Sequence, residues 1–278
     1  MKRNSKPVLV VGNEGLSYAG ISPIKKDLII LFQSFSLISQ PRGDSKSLSE
    51  ILKIGGIKRA ATVGIAGWKY YLKEEINEPE RRIEIPSYIS DIIRENIGNE
   101  KVFNANQLLM HPTQGIRAVN DVDQLAWFEY IGSHTSQAIR DVLFNLRCGM
   151  TEHDAVRIMK LNGLTLSCHL MLSTGPRATI GLSSPSTRVK RLGDQFTVAY
   201  GGWGSLNARA GFVAESELDL PRPIRDYMSM LVAPYFEAVT SWYSRLKIGA
   251  TGGELYQAIH ERIGDHVTKN PKRKSYLA

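Results

Sequence analysis

The sequence predicts an α/β half followed by an α+β half. Two patterns carry this expectation. In the first half, short apolar runs such as Val8 to Val11 and Leu28 to Phe32 alternate with stretches of helical spacing, the pattern of a mixed sheet covered by helices. In the second half, a long helical stripe leads to a strand, a glycine-rich turn and another strand, which reads as an antiparallel hairpin. The break falls in the stretch from Pro112 to Val119, giving expected domains 1–116 and 117–278.

The bulk numbers narrow the class. At 278 residues the chain is long enough for two cores, and 42% hydrophobic with 22% charged residues excludes a disordered chain. The net charge of +8 would suit an acidic partner. The lysines and arginines are scattered, however, and no basic stripe interleaves with aromatics, so no nucleic-acid partner is expected. Cys148 and Cys168 are too few for a disulfide scaffold and lack metal-ligand spacing, which fits a reduced, cytoplasmic setting. The run from Val8 to Val11 is too short for a signal peptide, and no apolar run is long enough to span a bilayer. No membrane partner is expected.

Element by element, Val8 to Val11 reads as a buried strand ending at Gly12. Gly12 and Gly15 invite comparison with a phosphate-cradling loop, the one basis for a nucleotide-binding reading. The third glycine of that fingerprint is missing and Glu14 stands where phosphate would sit, so a plain turn is expected. Leu28 to Phe32 is the next strand. Ser47 and Glu50 have capping-box spacing for a short helix that Gly55-Gly56 would end. Ala61 to Ile65 is a further strand. Trp68, Tyr70 and Tyr71 follow as an aromatic cluster, expected in packing. Pro86 suits a helix start, and Ile89, Ile92, Ile93 and Ile97 form its apolar stripe.

In the second half, Asn120 is placed to cap a long helix with Asp123 in its first turn. Leu125, Phe128, Ile131, Thr135, Ala138, Val142 and Leu146 recur at helical spacing. Thr151 opens a second helix. Leu166 to Ser173 alternates as a strand, Phe196 to Tyr200 as another, and Asn207 to Glu217 returns as a third beyond Gly201-Gly202-Trp203-Gly204. Tyr227, Leu231, Tyr235, Val239, Trp242 and Leu246 stripe a long helix in which Pro234 predicts a kink. Thr251 and Glu254 open the last helix, and the tail from His266 to Ala278 reads as a solvated end.

The segment from Gly175-Pro176-Arg177 through Pro185, Ser186, Arg188, Gly193 and Asp194 resembles the centre of the catalytic domain of the pita-bread family, which includes prolidase, aminopeptidase P and creatinase. The order of elements in residues 117–262 is similar to that family's, and the first half is similar to its N-terminal domain. The resemblance implies a creatinase/prolidase-like mixed sheet with helices, then an incomplete pita-bread α+β domain, shortened at the C-terminus. It implies Xaa-Pro peptidase chemistry, in which two divalent cations (manganese, cobalt or zinc) hold a hydroxide and polarise the scissile carbonyl. It also implies a homodimer.

The family's site residues do not carry over. Its histidine falls on Leu182, its first aspartate ligand on Ala199, and its second near Ala208 to Ala210. Residues 195–214 contain no acidic residue, so no metal and no cofactor are expected. Glu215 and Glu217 share a strand face and read as a solvated end. Ser183 and Ser184 have no evident base, and His111, His134, His153 and His260 show no pairing pattern.

What remains for a cleft is Arg177, Arg188, Tyr200, Asn207 and Arg209, with His169 on the polar side of its strand. Guanidinium groups suit a peptide C-terminus or another carboxylate. The expectation is a relative of Xaa-Pro peptidases that has lost metal-dependent hydrolysis and binds a small peptide-like or carboxylate ligand, or a partner. An active Xaa-Pro hydrolase with an atypical site is the alternative, and a nucleotide-binding protein is a third.

Overall fold

The computed structural model describes residues 6–268, with side chains of the last helix followed to Ile263. The chain divides into two compact units between Asn120 and Asp121.

In the first unit, β1 (Leu9–Val11) leads into α1 (Asn13–Ala19) and then β2 (Ile29–Leu31). α2 (Leu48–Ile54), β3 (Val63–Ile65), α3 (Ser87–Ile97), β4 (Val102–Asn104) and α4 (Gln107–Met110) follow. The strands pair two by two, β1 with β2 and β3 with β4, both parallel. They form two short sheets where the sequence predicted one mixed sheet. α3 joins them. Its Ile93 and Ile97 pack with Ile65 and Val102, while Ile89 and Ile92 pack against Phe32, Leu48 and Ile51.

The expected capping box at α2 is present, with Ser47 accepting from the Glu50 amide and the Glu50 carboxylate accepting from Ser47. Behind Gly12 stands the seven-residue helix α1, where the sequence predicted a turn. The opening of α1 is filled by the chain itself. The Asn13 amide donates to Ser36 Oγ, the Leu37 amide donates to Glu14, and a Cβ on Gly12 would fall 2.8 Å from the Phe35 carbonyl carbon. A Cβ there would collide with backbone, which accounts for the glycine without a phosphate. Trp68 is exposed, not packed; Tyr71 donates to Glu84 at 3.0 Å.

In the second unit, α5 (Val122–Asn145) is capped by Asp121, one residue later than predicted. Asp121 accepts from the Gln124 amide and Gln124 returns the bond, a reciprocal box that Asn120 is not placed to make. α6 (Glu152–Arg157) opens on the predicted Thr151, boxed with Asp154. The three-stranded antiparallel sheet follows: β5 (Met171–Thr174), β6 (Gln195–Gly202) and β7 (Ser205–Phe212), in that spatial order. The alternation read from Leu166 survives as alternate exposure, but ladder pairing begins only at Met171. A two-residue turn, Trp203-Gly204, with Gly204 at φ 110°, closes the β6–β7 hairpin.

Beyond the sheet, a π-helical turn over Met228–Val232 runs into α7 (Ala233–Arg245), which pairs with α8 (Gly252–Thr268). Pro234 sits in the first turn of α7. Its missing N–H cannot donate back into the preceding turn, and the irregularity expected there takes the form of the π-turn. No described helix is long and apolar enough to cross a membrane.

Candidate functional site: a neutral sheet face and its frame

The sheet has two unlike faces. Leu172, Phe196, Val198, Tyr200 and Val213 are buried against Ala138, Ile139 and Val142 of α5 and Ala155 and Met159 near α6. The register puts the other residues together on the opposite face. Met171, Ala199 and Ala208 lie abreast, as do Ser173, Thr197 and Ala210. This face is neutral. The Ser173 and Thr197 hydroxyls are 2.9 Å apart and both donate to the Gly181 carbonyl, at 3.3 and 3.2 Å. A cavity of about 300 Å³ opens over it, lined by Ala178, Gly181, Thr197, Ala210, Phe212 and Tyr227 among others. The Tyr227 ring stands edge-on to Phe212 at 5.0 Å.

The loop beneath this cavity is held by two ion pairs. Glu152, the first residue of α6, is fully buried. Its carboxylate accepts from the Thr174 amide (2.7 Å) and hydroxyl (2.9 Å), the Ser186 amide (2.8 Å) and hydroxyl (2.6 Å), and the Arg177 guanidinium. Arg177 also donates to Ser186 Oγ and to the Ser184 carbonyl. Burial alone would push the Glu152 carboxyl up. The hydrogen bonds from Ser186 and Thr174 outweigh it and hold the group below its ordinary range.

In the second pair, Arg188 donates to both oxygens of Asp194 at 2.9 Å. Its guanidinium lies over Gly175, where an added Cβ would come within 2.2 Å of Nη2. Backbone pairing completes the frame: the Glu152 amide donates to the Arg188 carbonyl, and the Lys190 amide to the Met150 carbonyl. Lys190 is buried with Nζ on the Thr151 carbonyl, and burial lowers its pKa. Thus Gly175, Arg177, Ser186, Arg188 and Asp194, most of the segment that carried the resemblance, serve as a scaffold around Glu152.

The six residues expected in a cleft do not converge. Arg177 and Arg188 come together on the frame, each already engaged by an acid. Tyr200 is buried on the helix-facing side, where burial raises its pKa. Asn207, opposite Tyr200 in the register, donates to Thr135 and Ser136 of α5. Arg209, opposite Val198, is exposed and folds back on the Ala208 carbonyl. His169 is exposed ahead of β5. The residue that sequence reasoning missed is Glu152. An acid in a first turn is ordinarily a solvated charge, and nothing in the local sequence marks it as buried.

The positions that the resemblance aligns with the family's ligands carry alanines here. Ala199, Ala208 and Ala210 offer no oxygen, and among the described residues no group of three His, Cys, Asp or Glu side chains is placed to hold an ion. Glu215 and Glu217 are exposed, and the nearby Asp219 carboxylate accepts from the Glu215 and Ser216 amides.

No protein-family model matches the sequence, and neither does any curated protein. Solved structures do match. The Xaa-Pro dipeptidase from Bacillus anthracis superposes with a TM-score of 0.62 at 15% identity, over 92% of this chain and 63% of its own. Prolidase from Pyrococcus furiosus gives 0.60 at 16% identity, over 92% of this chain and 65% of its own. The X-Pro aminopeptidase from Thermotoga maritima gives 0.57 at 16%, over 93% and 65%. The fold is therefore that of the pita-bread peptidases, and the chain spans about two thirds of the length of these structures.

Proposed function

We propose that this protein uses a pita-bread peptidase fold to bind a small peptide-like ligand and does not hydrolyse it through metal ions. The observation that carries the reading is the abreast placement of Ala199 with Ala208 and of Thr197 with Ala210, on the face where the resembled family holds its cations. Carboxylates are the group a dinuclear site needs there, and this face has none. The neutral cavity beside it favours an uncharged, partly apolar ligand held by hydroxyl and backbone groups. A ligand carboxylate would have to displace Glu152 from Arg177 or Asp194 from Arg188, so the peptide-like reading is preferred to the carboxylate one.

The test is metal analysis of the purified protein after incubation with manganese, cobalt or zinc and dialysis, alongside hydrolysis assays on Xaa-Pro dipeptides. The expected result is no stoichiometric metal and no turnover, with saturable binding of an N-acetylated, C-amidated Xaa-Pro dipeptide that Ala210→Trp abolishes by filling the cavity. Two equivalents of metal with turnover would overturn the proposal in favour of an active hydrolase.

A further inference from the structure

A cavity of about 710 Å³ in the first unit opens where α2 and α3 end. Its lining comes from three stretches of chain: the last turn of α2 with the loop behind it, the last turn of α3, and the turn that leads into β4. Hydrogen bonds fix all three. The Ile57 amide donates to the Leu52 carbonyl, the Gly98 amide donates to the Arg94 carbonyl, and Lys101 Nζ reaches across to the Arg59 carbonyl at 3.0 Å.

Five of the lining residues are cationic: Lys53, Lys58, Arg59, Arg94 and Lys101. Glu95 and Glu100 are acidic, which leaves an excess of three positive charges. The cations are not engaged by these acids. Among the described residues, the one ion pair that any of the five makes is Arg94 with the exposed Asp91, at 3.6 Å, a weak contact. The Arg94 Nε–H is buried and meets no acceptor. Helix ends account for part of the cluster. A helix C-terminus favours cations, and Lys53 and Arg94 stand in the last turns of α2 and α3. Lys58, Arg59 and Lys101 lie beyond the helices, and like charges gathered round one cavity repel. A shared anion removes that repulsion. No aromatic side chain lines the cavity, so a nucleobase has nothing to stack on. The volume is in the range of small-molecule sites.

We propose that this cavity binds a compact small molecule bearing two or more phosphate groups, held by Lys53, Lys58, Arg59, Arg94 and Lys101. The two guanidinium groups suit phosphate oxygens by paired hydrogen bonds, and the lysines add point charge. The site lies wholly within the first unit, and the inference is independent of the peptide-like reading.

Isothermal titration calorimetry of the full chain with tripolyphosphate at low ionic strength is expected to show saturable binding, at least 10-fold tighter than that of inorganic phosphate. Salt at about 0.3 M is expected to weaken it at least 10-fold. Lys58→Glu/Arg59→Glu reverses two of the five charges and is expected to lower the affinity at least 20-fold. Lys25→Glu/Lys26→Glu, an exposed pair outside the cavity with the same change in net charge, is expected to alter it less than 2-fold. If the first variant fails to fold, the native chain decides: tripolyphosphate should shield Lys58 and Lys101 from acetylation, read by mass spectrometry, and leave Lys25 and Lys26 reactive. No saturable binding, tripolyphosphate no tighter than phosphate, equal losses in the two variants, or shielding no greater at Lys58 than at Lys25 would overturn the proposal.

Discussion

The guanidinium of Arg177 closes on the buried carboxylate of Glu152, and Ser186 bonds to both. This contact joins α6 to the loop under the neutral face, although the two residues are far apart in sequence. Removing the acid takes the shared acceptor away from the half-buried Arg177 guanidinium, the buried Thr174 amide and the half-buried Ser186 amide. Glu152→Ala is therefore expected to lose about 3–5 kcal/mol of stability in urea denaturation. Glu152→Ala/Arg177→Ala is expected to lose less than the sum of the single changes, because the second substitution removes the guanidinium left without its acceptor.

Acid should weaken the same contact. The Glu152 carboxyl titrates below its ordinary value of 4.5 in the folded protein. Its contribution is thus complete above the unfolded value and is lost as pH falls through the folded one. The stability difference between the native sequence and Glu152→Gln is expected to be constant near neutrality and to shrink below about pH 4.5. A difference that grows on acidification would contradict this sign.

Gly175 has φ 57°, and the space above its Cα is taken by Arg188. Gly175→Ala meets both obstacles at once. It should cost about 2 kcal/mol or more in thermal or urea unfolding, part from the left-handed backbone and part from displacing Arg188 off Asp194. Adding Arg188→Ala to the alanine variant should recover none of the backbone share.

The start of α5 gives a discriminating pair. Asp121→Ala removes the cap and is expected to lose about 1 kcal/mol. Asn120→Ala is expected to stay within about 0.5 kcal/mol of the native protein. Equal losses at the two positions would contradict the observed box.

Local chemistry was legible in the sequence where one residue type decides the outcome. The boxes at Ser47 and Thr151, and the pair Thr251 with Glu254 at the start of α8, stand as their spacing predicts. The hairpin and its two faces were also legible: the alternation that sets Phe196, Val198 and Tyr200 apart from Ala199 already places Tyr200 away from any cleft lined by Ala199. Three things were not. α1 has no capping side chain at Gly12 to announce it. β4, Val102–Asn104, has two apolar residues before Asn104 and so lacks the apolar run that marked β1 and β2. The burial of Glu152 depends on Thr174, Arg177 and Ser186, residues that only the fold assembles around it.

β7 pairs with β6 on one side, and among the described residues nothing pairs with its other edge. An open edge of eight residues, built mostly of small and apolar side chains, is a template for uncontrolled stacking of further strands. Arg209 sits near its middle, exposed. A second copy pairing in register with this edge would bring the two guanidinium groups to about 5 Å from one another, and their repulsion opposes the contact. The residue that looked like a ligand hook stands where edge strands carry a charge that opposes pairing with another chain.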